Sequence, residues 1–299
     1  MLYLIILILI ICTIIFYFIN KFLELKKFIN IEKFKSSYDY NNEEYILPKD
    51  IYAYWDNPND HINAYINTWR RNLSPEWTVH FITKENIMNY VDDEFYNKFK
   101  DLPSFRFADF LRVYLLSKNG GVWFDTTSII INGKFLDDYC KEMNEHKYDV
   151  TLYELSDHSY EDYPYLENWF FMAPKNSKFM TDLYNEFTRS FEMDFLVYKK
   201  TVLMSEISLK NTLQNGSKTY HMQHAIIHYL LKNNKYNMNI KDANESMFKV
   251  QRINNWNSDK LIDYILNNDL KDFYAIKLVK FNRKAIKDEK KFTERLNNI

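Results

Sequence analysis

The chain has 299 residues, of which 46% are hydrophobic, 18% aromatic and 26% charged. This composition excludes an intrinsically disordered protein, because disordered chains carry few aromatic residues and cannot bury a core. The 39 Lys and Arg residues against 40 Asp and Glu give a formal net charge of -1, so the chain lacks the basic field with which proteins bind nucleic acids.

The first predicted element is an apolar segment, Met1 to Ile19, that contains no charged side chain. As a helix that rises about 1.5 Å per residue, it is roughly 28 Å long, which matches the hydrocarbon core of a bilayer. A cleaved signal peptide is the alternative, but no Lys or Arg precedes the apolar run and no small-residue cleavage site follows it. We therefore predict a transmembrane anchor over residues 1–20.

Lysines after this segment predict its orientation, because positive flanking charges stay on the cytosolic side. The rest of the chain is then expected in the cytosol, although three Asn-X-Ser sequons would suit the lumen. Residues 21–45 are charged and are predicted to form a stalk at the membrane surface. Residues 46–299 show no repeat and no linker, which predicts one domain. The five lysines are Lys21, Lys26, Lys27, Lys33 and Lys35, and the sequons begin at Asn72, Asn215 and Asn244.

Strand and helix patterns alternate along the first part of this domain. Such alternation predicts an α/β fold with a mostly parallel sheet that helices cover on both faces. Ligands of such sheets bind beyond the carboxyl ends of the strands, here at Trp55 and Asp125. The predicted elements are the strands Ile51–Trp55, Thr78–Ile82 and Val122–Asp125, and the helices beginning near Ile62, over Lys84–Lys100 and over Ser104–Lys118.

Charged residues interrupt the apolar stretch from Phe105 to Ile131. Arg106, Asp109 and Arg112 are spaced by three and share one side of a helix, so they form either a surface ion ladder or a buried cluster. Asp125 ends an apolar strand, where a carboxylate loses hydration unless a cation or a hydrogen-bond donor meets it. A turn or capping role is the simpler alternative for such a residue.

Three short motifs occur in order along this region. The chain reads LPKDIYAYWD at Leu47–Asp56, ADFLRVYLL at Ala108–Leu116 and GGVWFD at Gly120–Asp125, and a further similar strand lies at Asn168–Pro174. In order and spacing, these motifs resemble the capsular polysaccharide synthesis family and its relatives in glycosyltransferase family 32 and the large clostridial glucosylating toxins. The Gly-Gly turn adds specificity, because the chain has only four glycines, too few and too widely spaced for a dinucleotide-binding turn or a P-loop.

The resemblance implies a GT-A-like enzyme that transfers a sugar from a nucleotide diphosphate sugar to a glycan, lipid-linked or protein acceptor. It further implies retention of anomeric configuration and a Mn²⁺ or Mg²⁺ ion that stabilises the leaving diphosphate. Carried over by position, Asp125 contacts the cation or the ribose, Asp109 and Arg112 hold hydroxyls of the donor sugar, Trp55 packs on the base, and Asn168 lines the donor pocket.

The metal motif departs from many relatives, because it reads Asp125-Thr126-Thr127 without a second Asp. Thr127 is then a weak metal ligand, and His224 is a candidate for a further one. His224 lies on a predicted helix with His221 and His228. The alternative to a metal-binding role is that all three are ordinary, partly buried helix residues.

The missing second Asp leaves one alternative open, a non-catalytic relative that binds a nucleotide sugar or a glycan. A metal-dependent transfer to phosphate groups is a weaker alternative. The sequence identifies no catalytic nucleophile or base.

Overall fold

The structure is a computed structural model that describes residues 45–159, 164–203 and 220–299, together with three helical residues, Ile14, Phe16 and Tyr17. The predicted anchor over residues 1–20 and the stalk over residues 21–45 lie outside the described residues, apart from these three positions and Tyr45, and both stay predictions. Among the described residues, no helix combines the length and the apolar character that crossing a membrane requires.

A six-stranded sheet forms the centre of the described chain, with strand order β2-β1-β3-β6-β5-β7. Five strands run parallel to one another, and β6 runs antiparallel between β3 and β5. The predicted α/β class with a mostly parallel sheet is confirmed. The strands are β1 (Asp50–Tyr54), β2 (Thr78–Ile82), β3 (Gly121–Phe124), β4 (Ser128–Ile130), β5 (Val150–Glu154), β6 (Leu166–Ala173), β7 (Met238–Asp242) and β8 (Ala275–Lys277).

Helices cover both faces of this sheet. Ile51 and Ala53 of β1 face one apolar cluster, and Tyr52 and Tyr54 face the other, as the alternation of side chains along a strand requires. The helices are α1 (Asp60–Asn72), α2 (Asp93–Phe99), α3 (Ser104–Asn119), α4 (Lys134–His146), α5 (Lys178–Glu192), α6 (Phe195–Tyr198), α7 (Met222–Asn233), α8 (Lys249–Ile253), α9 (Ser258–Asn267), α10 (Lys280–Arg283) and α11 (Glu289–Asn297).

The helical pieces predicted over Lys84–Lys100 are present as two separate elements. A short 3-10 turn, Ile87–Asn89, precedes α2, and the two are separate because Asp92 caps α2 by accepting a hydrogen bond of 2.8 Å from the backbone nitrogen of Phe95.

A second, two-stranded sheet pairs β4 with β8 in antiparallel register, with Ser128 opposite Lys277. It attaches the last part of the chain to the segment that follows Asp125. The carboxyl-terminal helix α11 packs on α1, where the Asn72 side chain donates a hydrogen bond of 3.1 Å to the carbonyl oxygen of Ile299.

The Gly-Gly turn before β3 requires glycine at both positions. Gly120 and Gly121 have φ values of 68° and 97°, in the left-handed region that other residues avoid. A Cβ atom would lie 2.6 Å from the backbone nitrogen of Lys175 at Gly120, and 2.6 Å from the carbonyl oxygen of Asp50 at Gly121. This close approach fixes the start of β3, which ends at the candidate site.

Candidate active site

One end of the main sheet forms the floor of a cavity of about 900 Å³, a volume typical of small-molecule sites. The parallel strands β1, β3 and β5 end here and the antiparallel strand β6 begins here, so four strands contribute side chains to one edge. Trp55, Asp125, Leu155 and Glu167 line the cavity from these strand ends. The cavity lies where the sequence predicted ligands to bind, at Trp55 and Asp125.

A buried ion network occupies the floor. Arg106 and Arg112 flank Asp109 on α3, with the Arg106 Nη1 to Asp109 Oδ2 distance at 2.8 Å and the Arg112 Nη2 to Asp109 Oδ1 distance at 3.3 Å. The exposed fractions of the three residues are 3%, 4% and 7% for Arg106, Arg112 and Asp109, so the cluster is not a surface ion ladder. Burial raises the pKa of the Asp109 carboxyl, and Arg112 and Arg106 act against that rise.

Arg112 joins this network to the end of β3. Its Nη2 lies 3.3 Å from Asp125 Oδ1, and its Nη1 donates a hydrogen bond of 2.5 Å to the carbonyl oxygen of Asn168. The guanidinium also lies over the Trp123 ring, 5.3 Å from its centroid. One arginine therefore holds α3, β3 and β6 together at the cavity floor.

Asn168 contributes an amide to the same floor. Its Nδ2 donates to Gln223 Oε1 of α7 at 2.8 Å and lies 3.5 Å from Asp109 Oδ1. Gln223 in turn donates to the backbone oxygen of Asp109 at 3.1 Å. The structure thus brings together the predicted donor-binding residues Asp109, Arg112, Asp125 and Asn168, with Trp55 on the wall of the same cavity.

Asp125 faces positive charge on both sides. Its Oδ1 accepts a hydrogen bond of 3.0 Å from Trp123 Nε1 and contacts Arg112, while its Oδ2 lies 3.6 Å from the ammonium nitrogen of Lys277. Burial alone would raise the pKa of Asp125, but Arg112 and then Lys277 outweigh burial, so the pKa lies below its ordinary value. Burial lowers the pKa of Lys277 to about 8, against the opposing effect of Asp125.

The hydroxyl groups of the two threonines after Asp125 form hydrogen bonds within the protein. Thr126 Oγ1 donates to the carbonyl oxygen of Tyr54 at 3.0 Å. Thr127 Oγ1 donates to the carbonyl oxygen of Leu278 at 3.2 Å and accepts from Lys277 Nζ at 3.0 Å. Over the described ranges, no group of three or more His, Cys, Asp and Glu side chains has the arrangement of a metal site. Asp125 Oδ1 and Thr127 Oγ1 are both engaged by groups of the protein, so the oxygens around Asp125 fit a divalent cation poorly.

The three histidines of α7 and its first turn have different environments. His221 and His224 line the cavity, and His224 Nε2 lies 4.0 Å from Glu167 Oε2. His228 is buried one helical turn further on, where its Nε2 donates to the carbonyl oxygen of Pro164 at 2.8 Å. Burial lowers the pKa of His228 to about 4. Only the first two can reach a ligand in the cavity, and the role of His224 as a metal ligand stays a prediction.

Residues of the carboxyl-terminal quarter complete the cavity. Arg283 lies over the Trp55 ring at 6.0 Å from the centroid, and the rings of Trp256 and Phe281 lie 6.4 Å apart. No motif in the sequence marks Lys277, Glu167 or Trp256 as a site residue. A signal was present for Lys277, since a lysine within the apolar run from Ala275 to Val279 has to bury its stem.

Comparison with known sequences gives two matches. A family model described as capsular polysaccharide synthesis protein matches residues 13–293. The O-glycosyltransferase braB of Annulohypoxylon truncatum is 27% identical over 151 residues, which cover 44% of this chain and 35% of the relative. The chain thus matches about a third of the length of that curated relative.

Solved glycosyltransferase structures share low similarity with this chain. GlyE of Streptococcus pneumoniae TIGR4 is 7% identical with a TM-score of 0.43, covering 85% of this chain and 63% of GlyE. The PaToxG glycosyltransferase is 10% identical with a TM-score of 0.35, covering 93% of this chain and 94% of that one. The family assignment rests on the family match alone, which spans most of the sequence. The chain belongs to the capsular polysaccharide synthesis protein family.

Proposed function

We propose that this protein is a GT-A-like glycosyltransferase that moves a sugar from a nucleotide diphosphate sugar to a hydroxyl group of a glycan, lipid-linked or protein acceptor. The observation that carries the proposal is the cavity at the sheet edge, which combines an aromatic wall at Trp55 with the ion network of Asp109, Arg112 and Asp125. Membership of the family and the relative's name, an O-glycosyltransferase, support transfer to oxygen.

Two regions of the cavity bind different parts of the donor, the nucleotide base and the sugar. Trp55 offers a flat apolar face for the nucleotide base, and Asp109, Arg112 and Asn168 offer polar groups for the hydroxyls of the donor sugar. During transfer, the bond between the anomeric carbon and the phosphate oxygen breaks, and its electron pair stays on the diphosphate. Positive side chains in the cavity wall stabilise that growing negative charge, which is the usual largest contribution to such catalysis.

The acceptor hydroxyl loses its proton as its oxygen bonds to the anomeric carbon. Glu167 and His224 form a pair at 4.0 Å inside the cavity, and carboxylate and imidazole side chains are the common general bases of enzymes. We assign the holding or removal of this proton to the pair. Retention of anomeric configuration, as the family resemblance implies, is part of the proposal.

Membrane attachment is also part of the proposal. The uncharged run from Met1 to Ile19 and the lysines after it support a single-pass anchor with the catalytic domain in the cytosol. Protease protection in sealed membrane vesicles tests this orientation. No step proposed here passes through a divalent cation, because the oxygens around Asp125 fit one poorly.

The test is release of UDP or GDP from a panel of nucleotide sugars by the full chain, with Mn²⁺ present and glycan acceptors added. We expect one donor to be turned over, and Asp125→Ala to lower the rate by about 100-fold or more. Asp269→Ala is the matched control, because this carboxylate is exposed and lies outside the cavity. Binding of donors without turnover would instead support the non-catalytic alternative. NMR of the product's anomeric proton tests retention.

A further inference from the structure

Lys277 stands where the sequence predicted a metal ion. It ends β8 opposite Ser128 of β4, and this pairing brings its side chain beside the segment from Asp125 to Thr127. Its ammonium nitrogen lies 3.0 Å from Thr127 Oγ1 and 3.6 Å from Asp125 Oδ2. These are two of the three side chains that were predicted to coordinate the cation, the third being His224.

The Lys277 side chain is buried, and hydrogen bonds hold its backbone in place. Only 6% of the Lys277 side chain is exposed, yet the residue lines the cavity. Its backbone is fixed at both polar groups, since its nitrogen donates to the carbonyl oxygen of Met247 at 3.1 Å and its carbonyl oxygen accepts from Gln251. A buried lysine held in this way presents its charge at one place, as a metal ion does.

The oxygens around the ammonium leave little for a metal. Asp125 Oδ1 is engaged by Trp123 and Arg112, and Thr127 Oγ1 is engaged by Lys277 and by the carbonyl oxygen of Leu278. Asp125 Oδ2 remains, and it faces Lys277. A divalent cation at this position would meet the ammonium and the Arg112 guanidinium at close range, which is electrostatically unfavourable.

We propose that Lys277 supplies, from within the chain, the positive charge that binds and stabilises the leaving diphosphate, so that turnover requires no divalent cation. This inference rests on the proposed function, because it assigns a catalytic role at the same cavity. Asp125 then holds the ammonium in place, and the lysine hydrogen-bonds to a phosphate oxygen as that oxygen gains negative charge.

The first test compares the full chain in excess EDTA with the full chain in Mn²⁺. The probes are UDP-glucose, UDP-galactose, UDP-N-acetylglucosamine and GDP-mannose, and the readout is released UDP or GDP. We expect rates within about twofold of each other, because the cation is part of the protein. Loss of turnover by about 100-fold in EDTA, restored by Mn²⁺, would overturn the inference.

Variants test the residue itself. Lys277→Met keeps the aliphatic stem without the charge, and we expect kcat/KM to fall by about 100- to 1,000-fold in either buffer, while Lys277→Arg retains more activity. Lys287→Met is the matched control, since this lysine is 80% exposed, and its rate should not change. A Lys277→Met enzyme that folds and keeps the wild-type rate in EDTA would refute the role of Lys277.

Calorimetry with UDP and GDP in EDTA separates this inference from the proposed function. If no sugar donor is turned over, the proposed function fails, and binding still decides the role of Lys277. We expect the wild type to bind one nucleoside diphosphate without metal, and Lys277→Met to bind it at least about tenfold more weakly. Binding that requires Mn²⁺, or that is equal in the two proteins, would contradict the inference. The wild-type measurements stand even if Lys277→Met does not fold.

Discussion

The guanidinium of Arg112 is the centre of the buried ion network, so Arg112→Met tests whether that network holds the fold together. The substitution keeps most of the apolar stem and removes the positive charge between Asp109 and Asp125, which lie 3.3 Å from it. Removing one partner of a buried ion pair costs about 3–5 kcal/mol, because the other charge stays buried. We take the lower figure, about 3 kcal/mol, since 32% of the Asp125 side chain is exposed.

Urea denaturation followed by tryptophan fluorescence measures this loss, which corresponds to a fall in Tm of roughly 6–12 °C for a domain of this size. Arg252→Met is the matched control, because Arg252 pairs with Glu245 and 42% and 66% of these two side chains are exposed, so a change within about 0.5 kcal/mol is expected. Adding Asp109→Asn to Arg112→Met should restore part of the stability. Equal losses for the two arginine variants would refute the reasoning.

Three further predictions concern other parts of the site and fold. Burial holds the pKa of His228 near 4, below its ordinary 6.5, so the folded protein keeps this histidine neutral. Because the unfolded chain takes up the proton first, the free energy of unfolding should fall by about 3 kcal/mol as the pH falls from 6.5 to 4. His228→Gln retains a donor for the carbonyl oxygen of Pro164 but cannot take up a proton, so its stability should depend less on pH in this range. A variant that loses as much stability in acid as the wild type would contradict the role of His228. Gly121→Ala should lower the free energy of unfolding by more than about 1 kcal/mol in urea, through strained backbone and contact with Asp50; a smaller change would exclude the strain. Glu167→Gln should lower kcat by about 100-fold at unchanged donor KM, and a change in KM alone would exclude proton transfer by Glu167.

The sheet and the position of its ligand edge could be predicted from the sequence because both depend on local patterns. The apolar strand that ends at Phe124 and the Gly-Gly turn before it predict where Asp125 emerges. Spacing also placed Arg106, Asp109 and Arg112 on one side of α3. Whether that side was buried depended on packing against β6 and α7, which a helical period alone does not specify.

Lys277 could not be placed from the sequence, because its neighbours come from a distant part of the chain. Thr127 and Lys277 are 150 residues apart, and only the pairing of β4 with β8 brings them together. The metal at Asp125 was predicted from the family resemblance, and it stays a prediction. The motif alone does not reveal that a lysine from a distant part of the chain lies beside the same carboxylate.

The pairing of β4 with β8 also sets the order in which the cavity is assembled during synthesis. The main sheet is complete once β7 has been made at Asp242, whereas β8 begins at Ala275. Until β8 has left the ribosome, Asp125 meets Arg112 without Lys277. Contacts that close such long loops also form late in folding. A nascent chain that stops between Asp242 and Ala275 can therefore hold the main sheet while Asp125 meets Arg112 without the ammonium of Lys277, which reaches the cavity only once β8 pairs with β4.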